Sequence, residues 1–303
     1  MPEKAPQFFY VPFQKSNQKK LKIALKDVYE LSEEDNFIDK NSYQKFKSRK
    51  RILSGKKDIN DLVTEENNEA PFTSSDLCSL NGDGIIEELV SIIKTGKEAS
   101  VYLGKCKDEF RAVKIYTDIR VRSFRNDIMY REGRYVGRAR IKKAIDQGSE
   151  TGLNAHQLLW VSEEFRQMKR LHSAGISVPE PIAISGLTIV MEFIGSDDGE
   201  PAPRLSDVGL DKPDAEEAFR QSLSILKDIV SMKKIHGDYS AFNLLWHEEK
   251  VIVIDFPQVI EIENNPSYKD LLLRDVVSLC KSFRRHGINA DSEKIYRRML
   301  SSV

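Results

Sequence analysis

The chain of 303 residues predicts an α+β fold with two parts, a small β-rich one followed by a short helical one, behind an N-terminal extension. Three observations carry this. Short β-type runs crowd residues 91–116, and a single strong helical period covers Gln157 to Leu171. Beyond Ala215 the signals are helical until a polar loop that is followed by the apolar run Val251-Ile252-Val253-Ile254, which ends in Asp255.

Residues 1–80 read as an appended segment. They mix charge runs such as Lys45-Phe46-Lys47-Ser48-Arg49-Lys50-Arg51 with weak apolar periodicity, and the stretch from Leu31 to Phe46 could include a helix capped by Ser32. Near Ser79-Leu80-Asn81-Gly82-Asp83-Gly84 a turn signal precedes Ile85 to Val90, and the domain boundary is expected there. The β-rich part then spans 81–194, with a long basic insertion over about 117–157, and the helical part spans 195–303.

Within the β-rich part, Ser91-Ile92-Ile93, Ser100 to Leu103 and Arg111 to Tyr116 alternate with polar turns, the pattern of an antiparallel meander. Leu158, Val161, Phe165, Met168 and Leu171 recur near a 3.6-residue period, and Ala174-Gly175 ends that helix. Pro179-Glu180-Pro181 leads towards a strand over Leu187 to Ile194.

Composition narrows the classes. With 40% hydrophobic residues the chain can bury a sizeable core, enough for one or two domains. No run of 18 apolar residues occurs and the start lacks the apolar core of a signal peptide, so a cytoplasmic protein with no membrane role is expected. Cys78, Cys106 and Cys280 are too few and too scattered for a disulfide framework or metal site. The 47 basic and 47 acidic residues cancel, which excludes a globally electrostatic nucleic-acid binder and leaves only local basic patches.

The most telling motif is His236-Gly237-Asp238-Tyr239-Ser240-Ala241-Phe242-Asn243, followed by the strand that ends in Asp255. An acid, an amide five positions later and a second acid closing an apolar run are the parts that phosphoryl transfer needs: Asp238 to take or orient the nucleophile's proton, Asn243 and Asp255 to offer hard oxygens to Mg²⁺ beside a triphosphate. Turn residues and a strand cap would not be expected to repeat this spacing. His236 reads as a structural hydrogen-bonding residue, and neither His172 nor His247 has a metal-ligand companion.

The nucleotide side is read from the β-rich part. In Thr95-Gly96-Lys97-Glu98-Ala99-Ser100-Val101-Tyr102 a glycine and small residues would let backbone amides and hydroxyls approach phosphate, although a full G-x-G-x-x-G is absent. Lys114 lies between Val113 and Ile115 and needs either solvent or an acidic partner. Glu164 is the candidate, with Glu163 competing. Met191-Glu192-Phe193-Ile194-Gly195 ends a strand where a connection between the two parts could hydrogen-bond adenine.

These residues together resemble the RIO family of atypical protein kinases, above all its first subgroup, over roughly residues 80–290. The resemblance rests on Ser91 to Tyr102, ending in Thr95-Gly96-Lys97-Glu98-Ala99-Ser100-Val101-Tyr102, on Ala112-Val113-Lys114-Ile115-Tyr116, on Ala174 to Pro181 and on the loop from His236 to Asn243. It implies a bilobal protein-kinase-like fold, ATP with Mg²⁺ or Mn²⁺ as cofactors, and a protein substrate. By residue it implies Asp238 as the catalytic aspartate, Lys114 paired with Glu164, Asn243 and Asp255 on the metal, Glu192 and Ile194 at the hinge, and phosphate contacts near Lys97 and Ser100. Asp255 as a phosphorylated nucleophile is a further family possibility. Pro257 stands after Asp255-Phe256 where ordinary protein kinases have Gly, and about fifty residues remain, too few for a long activation segment and peptide-binding helices. That favours ATP turnover, autophosphorylation or a narrow protein substrate. The family is also linked to maturation of the small ribosomal subunit, and the insertion with Arg120, Arg122, Arg125, Arg131, Arg134, Arg138, Arg140, Lys142 and Lys143 offers charge for RNA phosphates, a pre-ribosomal particle or an acidic protein. Two other readings stay open: a small-molecule phosphotransferase of the aminoglycoside or choline kinase type, and an ATP-dependent scaffold that binds a ribonucleoprotein.

Overall fold

A computed structural model describes residues 59–63, 72–117 and 149–301, with single positions 143, 145 and 147. The expected helix within Leu31 to Phe46 and the basic insertion residues from Arg120 to Lys142 lie outside the described residues. Two compact units emerge: the described residues up to 117 with 149–163 and 181–193, and residues 164–180 with 194–301. The α+β class expected from the sequence is the one found.

The first unit is built on an antiparallel sheet of β1 (Glu88–Thr95), β2 (Ala99–Cys106), β3 (Glu109–Tyr116), β4 (Pro181–Ser185) and β5 (Thr188–Glu192), in the order β1-β2-β3-β5-β4. Partners directly opposite share a face. Tyr102 pairs with Val113 and Val113 with Val190. All three are buried in one core with Leu62, Phe72, Leu77, Leu80, Ile86 and Ala183. Leu77 and Leu80 come from α1 (Ser75–Gly82), a helix where the sequence showed a turn signal. The Ser-Leu-Asn-Gly-Asp-Gly composition does favour a turn, but two leucines one helical turn apart bury fully and decide the local structure. Leu62, Phe72, Leu77 and Leu80, counted from sequence with the appended segment, are therefore core residues of this sheet. Asp76 Oδ2 accepts the Leu187 backbone N–H at 3.1 Å, which fastens α1 to the β4–β5 hairpin.

That hairpin contains a strand the sequence did not predict. β4 opens on Pro181 at the sheet edge, where proline's missing N–H does no harm, and the chain reverses through Gly186 at φ 52°.

The helix α2 (Glu150–Ser173) starts earlier than its predicted span, and its later turns belong to the second unit. It ends at Gly175, φ 76°, with Gly175 N–H on His172 O at 2.9 Å and Ile176 N–H on Leu171 O at 3.1 Å.

The second unit carries α3 (Lys212–Ser231), whose N-cap Asp211 accepts the Asp214 N–H at 3.0 Å. β6 (Lys234–Ile235) pairs with β9 (Ile260–Glu261), and β7 (Leu244–His247) with β8 (Lys250–Val253). Glu248 and Glu249 turn the latter hairpin with φ of 47° and 60°, the primed geometry that matches strand twist. α4 (Tyr268–Phe283) and α5 (Ser292–Leu300) close the chain. Among the described residues no helix is long and apolar enough to cross a membrane.

Candidate active site

In the second unit, β6 delivers the chain into the loop that starts at His236. Gly237 turns it at φ 83°, a conformation any side chain would strain. The loop is then held from α4. The buried carboxylate of Asp275 accepts Gly237 N–H at 2.8 Å and Tyr239 N–H at 3.0 Å, and Arg274 donates to Gly237 O. Tyr239 is fully buried and donates its hydroxyl to Ser222 O of α3 at 2.9 Å. Burial and the charges of Asp275 and Asp228 hold that phenol well above its ordinary pKa, so it is a neutral anchor.

Between two anchored flanks, Asp238 remains exposed. The atoms crowding the loop still strip water from its carboxylate, and this desolvation raises its pKa; the Asn243 hydrogen bond opposes the rise, while the charge of Asp255 adds to it. Asn243 Nδ2 donates to Asp238 O at 2.9 Å and to Asp238 Oδ2 at 3.0 Å. Both bonds use the amide nitrogen, so the carboxamide oxygen is the end left for a cation. The backbone oxygen of Asn243 accepts Ile254 N–H at 3.0 Å, which brings the residue before Asp255 against the loop. Asp255 follows with φ 71°, a strained position for a non-glycine residue and of the kind found where function fixes a side chain's direction. Glu164, 3% exposed on α2, accepts the next N–H, that of Phe256, at 3.4 Å. Asp238, Asn243, Asp255 and Glu164 are thus linked within one unit. Glu163 is only partly buried.

His236 is fully buried, with its ring 5.4 Å from that of Tyr239 and 5.7 Å from that of Phe256. Nδ1 accepts Asp238 N–H at 3.3 Å. Burial lowers the imidazole to about 4, against the opposing pull of Asp255 and the Ile254 backbone, so it is neutral near pH 7 and a structural acceptor.

Among the described residues no group of three or more His, Cys, Asp or Glu could hold a metal. A divalent ion that completes its shell with phosphate oxygens and water needs fewer protein ligands, and the amide oxygen of Asn243 with the carboxylate of Asp255 are the hard donors Mg²⁺ prefers. The residues present fit such an ion.

The first unit holds the remaining candidates except Ile194. Thr95 pairs with Ser100 across a tight turn closed by Gly96 N–H on Ala99 O at 2.9 Å, and Lys97 projects from that turn, exposed. Val101 is opposite Lys114, and Lys114 opposite Ile189, so these three share the sheet face away from the α1 core, and Met191 joins it opposite Ala112. Lys114 Nζ sits 5.1 Å from the centre of the Tyr116 ring. Ser100 is opposite Ile115 and falls on the other face, buried. Glu192 ends β5, exposed and opposite Arg111. Ile194, in the second unit, accepts Ala202 N–H at 2.9 Å through its carbonyl.

Sequence reasoning missed Asp275. The signal was present in Leu271-Leu272-Leu273-Arg274-Asp275-Val276-Val277, where a charged pair interrupts an apolar helical run, but nothing in the sequence alone indicates which loop it serves.

Comparison with known proteins gives the lineage. The RIO domain family matches residues 100–295. The human serine/threonine-protein kinase RIO1 is 33% identical over 258 residues, 84% of this chain and 42% of the relative. Serine/threonine-protein kinase rio1 of Schizosaccharomyces pombe is 33% identical over 235 residues, 76% of this chain and 45% of the relative. In Haloferax volcanii the RIO-type serine/threonine-protein kinase Rio1 is 31% identical over 241 residues, 79% of this chain and 78% of the relative. The chain spans under half the length of the two eukaryotic relatives. Since the family match runs from β2 into α5 and takes in the whole loop from His236 to Asp255, the chain belongs to the RIO domain family.

Proposed function

We propose that this protein is an ATP-dependent serine/threonine protein kinase, with ATPase and autophosphorylation activity, whose reacting groups are Asp238, Asn243 and Asp255. One observation carries this reading: the same asparagine fixes Asp238 through its side-chain nitrogen and the Asp255 segment through its backbone oxygen. Asp238 accepts the proton of the acceptor hydroxyl as that oxygen bonds to the γ-phosphorus of ATP. The bond from γ-phosphorus to the bridging oxygen breaks, and ADP leaves. Desolvation moves the Asp238 pKa upward, the direction a general base near neutral pH requires. Asn243 and Asp255 would hold Mg²⁺ or Mn²⁺, which supplies charge neutralisation at the transferring phosphate.

Lys114, paired with Glu164, contacts the α and β phosphates in this reading. Val101 and the turn at Gly96-Lys97 cover the phosphates, Thr95 and Ser100 contribute only the backbone of that turn because their side chains share the opposite face, and Met191, Glu192 and Ile194 meet the adenine. The carbonyl of Ile194 is already taken by Ala202 N–H, so a nucleotide contact there uses the Ile194 N–H. The biological setting is maturation of the small ribosomal subunit in the cytoplasm, with the basic insertion meeting RNA phosphates. The names of the relatives support the kinase class.

The test is to incubate wild type and Asp238→Asn with γ-labelled ATP and Mg²⁺ while following free phosphate and labelled protein. Turnover in wild type, reduced about 10²-fold or more in the variant, is expected from the loss of a general base. Equal turnover in both proteins would sink the reading. Hydroxylamine-labile label in the wild type would place the phosphoryl group on a carboxylate such as Asp255, and acid-stable label on a hydroxyl.

A further inference from the structure

Among the described residues, the large apolar side chains that stand exposed are Val90, Ile92, Phe242, Leu273 and Val277. Phe242 is the most exposed, at 60%, and of the five it alone lies between Asp238 and Asn243. Its neighbours are not free to let it turn inward. Ala241 and Asn243 are 5% and 8% exposed, Asn243 N–H bonds Ser240 O at 2.9 Å, and Ala241 N–H bonds Ser282 Oγ of α4 at 3.2 Å. The turn therefore holds a phenyl ring out in water, apolar surface that a side chain settling beside Asp238 would cover.

The ring has a fixed companion. The guanidinium carbon of Arg204 lies 5.8 Å from the ring centre. Arg204 Nε donates to Asp207 Oδ2 at 2.6 Å, so an internal carboxylate balances its charge. What it presents is the flat, weakly hydrated guanidinium surface. The segment that carries it is tied to the loop by Leu205 N–H on Leu244 O at 2.8 Å and Ser206 N–H on Ala241 O at 3.0 Å, and Arg285 donates to Ser206 O and to Val208 O. Both halves of this surface are preorganised, which limits the entropy lost when a side chain settles on it.

We propose that Phe242 and Arg204 form a recognition shelf that selects an aliphatic or aromatic side chain beside the acceptor serine or threonine of a polypeptide substrate. The inference rests on the kinase reading above. A hydroxyl in reach of Asp238 brings its chain neighbours over the same turn, and an extended polypeptide advances about 3.3 Å per residue, so the selected residue lies within about three positions of the acceptor. The occupant is apolar because the shelf is a phenyl face beside a neutralised cation. An acidic occupant would need the Arg204 charge that Asp207 already holds.

A positional-scanning peptide library centred on serine tests this, phosphorylated by wild type, Phe242→Glu, Phe242→Leu and Asp207→Asn. Wild type should prefer an apolar residue at one fixed position within three of the serine. Phe242→Glu should shift that position to Lys or Arg and raise KM for the best wild-type peptide by about 10-fold or more, the scale of a lost apolar contact, with kcat changed far less. Phe242→Leu should keep the apolar preference, and Asp207→Asn, by freeing Arg204, should add tolerance for Asp or Glu there. Calorimetric titration with ATP shows that each variant is folded, and Phe242→Ser replaces Phe242→Glu if the latter fails it, with loss of the apolar preference as its expected result. An unchanged preference and KM in the Phe242 variants overturns the shelf while leaving the kinase reading standing. Wild type that hydrolyses ATP yet labels no peptide overturns the shelf and leaves ATP turnover at Asp238 standing, whereas wild type that neither hydrolyses ATP nor labels peptide overturns both.

Discussion

Asp275 accepts the backbone N–H of Tyr239 at 3.0 Å across a sequence separation of 36 residues, so the loop that carries Asp238 takes its shape from a helix that follows it. A second N–H, from Gly237, lands on the other carboxylate oxygen at 2.8 Å. Replacing Asp275 by Ala leaves two buried donors without an acceptor, at roughly 1–3 kcal/mol each. The variant should lose about 2–6 kcal/mol of unfolding free energy in urea and most of its phosphoryl transfer. Asp275→Asn keeps one acceptor oxygen and should fall between the two. An Ala variant as stable as wild type would show that the loop is held by other contacts.

The same carboxylate gives a pH signature. Burial raises Asp275 from 3.8 to about 7, while the hydrogen bonds from Tyr239 and Gly237 work against the rise. Between those two values the native state holds a proton that the unfolded chain has released, so this group costs stability as pH rises through the window. The stability advantage of wild type over Asp275→Asn should therefore narrow from pH 4 towards pH 7. His236 acts in the opposite direction. Its folded pKa of about 4 lies below the ordinary 6.5, so the unfolded chain gains a proton first, and acidification from 6.5 towards 4 destabilises the native state. His236→Phe keeps the aromatic packing and should lack that acid-side loss. Urea midpoints for the three proteins across pH 4–8 test both signs, and parallel curves would contradict them.

Glycine placement in the β1–β2 sheet, at the turn proposed to meet the nucleotide and inside the core, separates a conformational effect from a packing effect. A Cβ on Gly96 would come within 2.9 Å of the Ala99 backbone oxygen, so Gly96→Ala must open the turn that presents Lys97. A Cβ on Gly104 would meet Ile86 Cδ1 at 2.6 Å and Val113 Cγ2 at 2.9 Å inside the sheet core. Gly104→Ala should destabilise by about 1–3 kcal/mol through overpacking, seen in the denaturation midpoint, with nucleotide binding unchanged once folded. Gly96→Ala should unfold near the wild-type midpoint and bind ATP several-fold more weakly by calorimetric titration. The reverse pattern would place the nucleotide elsewhere.

How much of this could be read in the sequence depends on the range of each interaction. The loop from His236 to Asn243 and the strand before Asp255 stood out because Asp238, Asn243 and Asp255 lie within twenty residues, and the structure links their segments through Asn243. The meander was legible from alternation over β1 to β3. β4 was not, because Pro179-Glu180-Pro181 masks a strand whose edge position only the assembled sheet reveals. α1 was hidden by turn-forming residues whose helix depends on Leu77 and Leu80 finding Val113 and Val190 across the sheet. Asp275 stayed unassigned for the same reason. A carboxylate that serves a loop 36 residues away leaves no local pattern.

The proposed metal site makes unequal demands on Asn243 and Asp255. In that proposal Asn243 does two things at once, since its Nδ2 holds Asp238 at 2.9 and 3.0 Å while its oxygen would meet the ion. Asn243→Asp keeps a hard oxygen but removes the donor, and sets a second carboxylate against Asp238 Oδ2. It should therefore bind Mn²⁺ at least as well as wild type, by calorimetric titration with ATP present, yet turn over more slowly because Asp238 is no longer fixed. Asp255→Asn should weaken Mn²⁺ binding itself, since a formal charge leaves the site. If both variants lost metal affinity equally, the Asn243 amide nitrogen would have no separate role.

Lys234 and Glu261 supply the last test, because they join the strand before the His236 loop to the strand after Asp255. Lys234 is 4% exposed, and its amine is bonded to Glu261 Oε1. The same oxygen accepts from Gln167 Nε2 and Arg170 Nη1 of α2, each at 3.3 Å. Burial lowers the lysine's pKa, the guanidinium charges of Arg170 and Arg166 lower it further, and Glu261 alone works in the opposite direction. Removing the carboxylate leaves a buried ammonium facing like charges, so Glu261→Gln should destabilise by about 3 kcal/mol or more. Lys234→Met instead removes the charge that burial penalises, and Glu261 keeps Arg170 and Gln167 as partners, so the loss should be smaller. The double variant should then be more stable than Glu261→Gln alone, with a coupling of about 1–3 kcal/mol between the two sites in urea denaturation. Simple additivity would mean that the Lys234 ammonium is solvated by other groups, and that α2, β6 and β9 are fastened by packing alone.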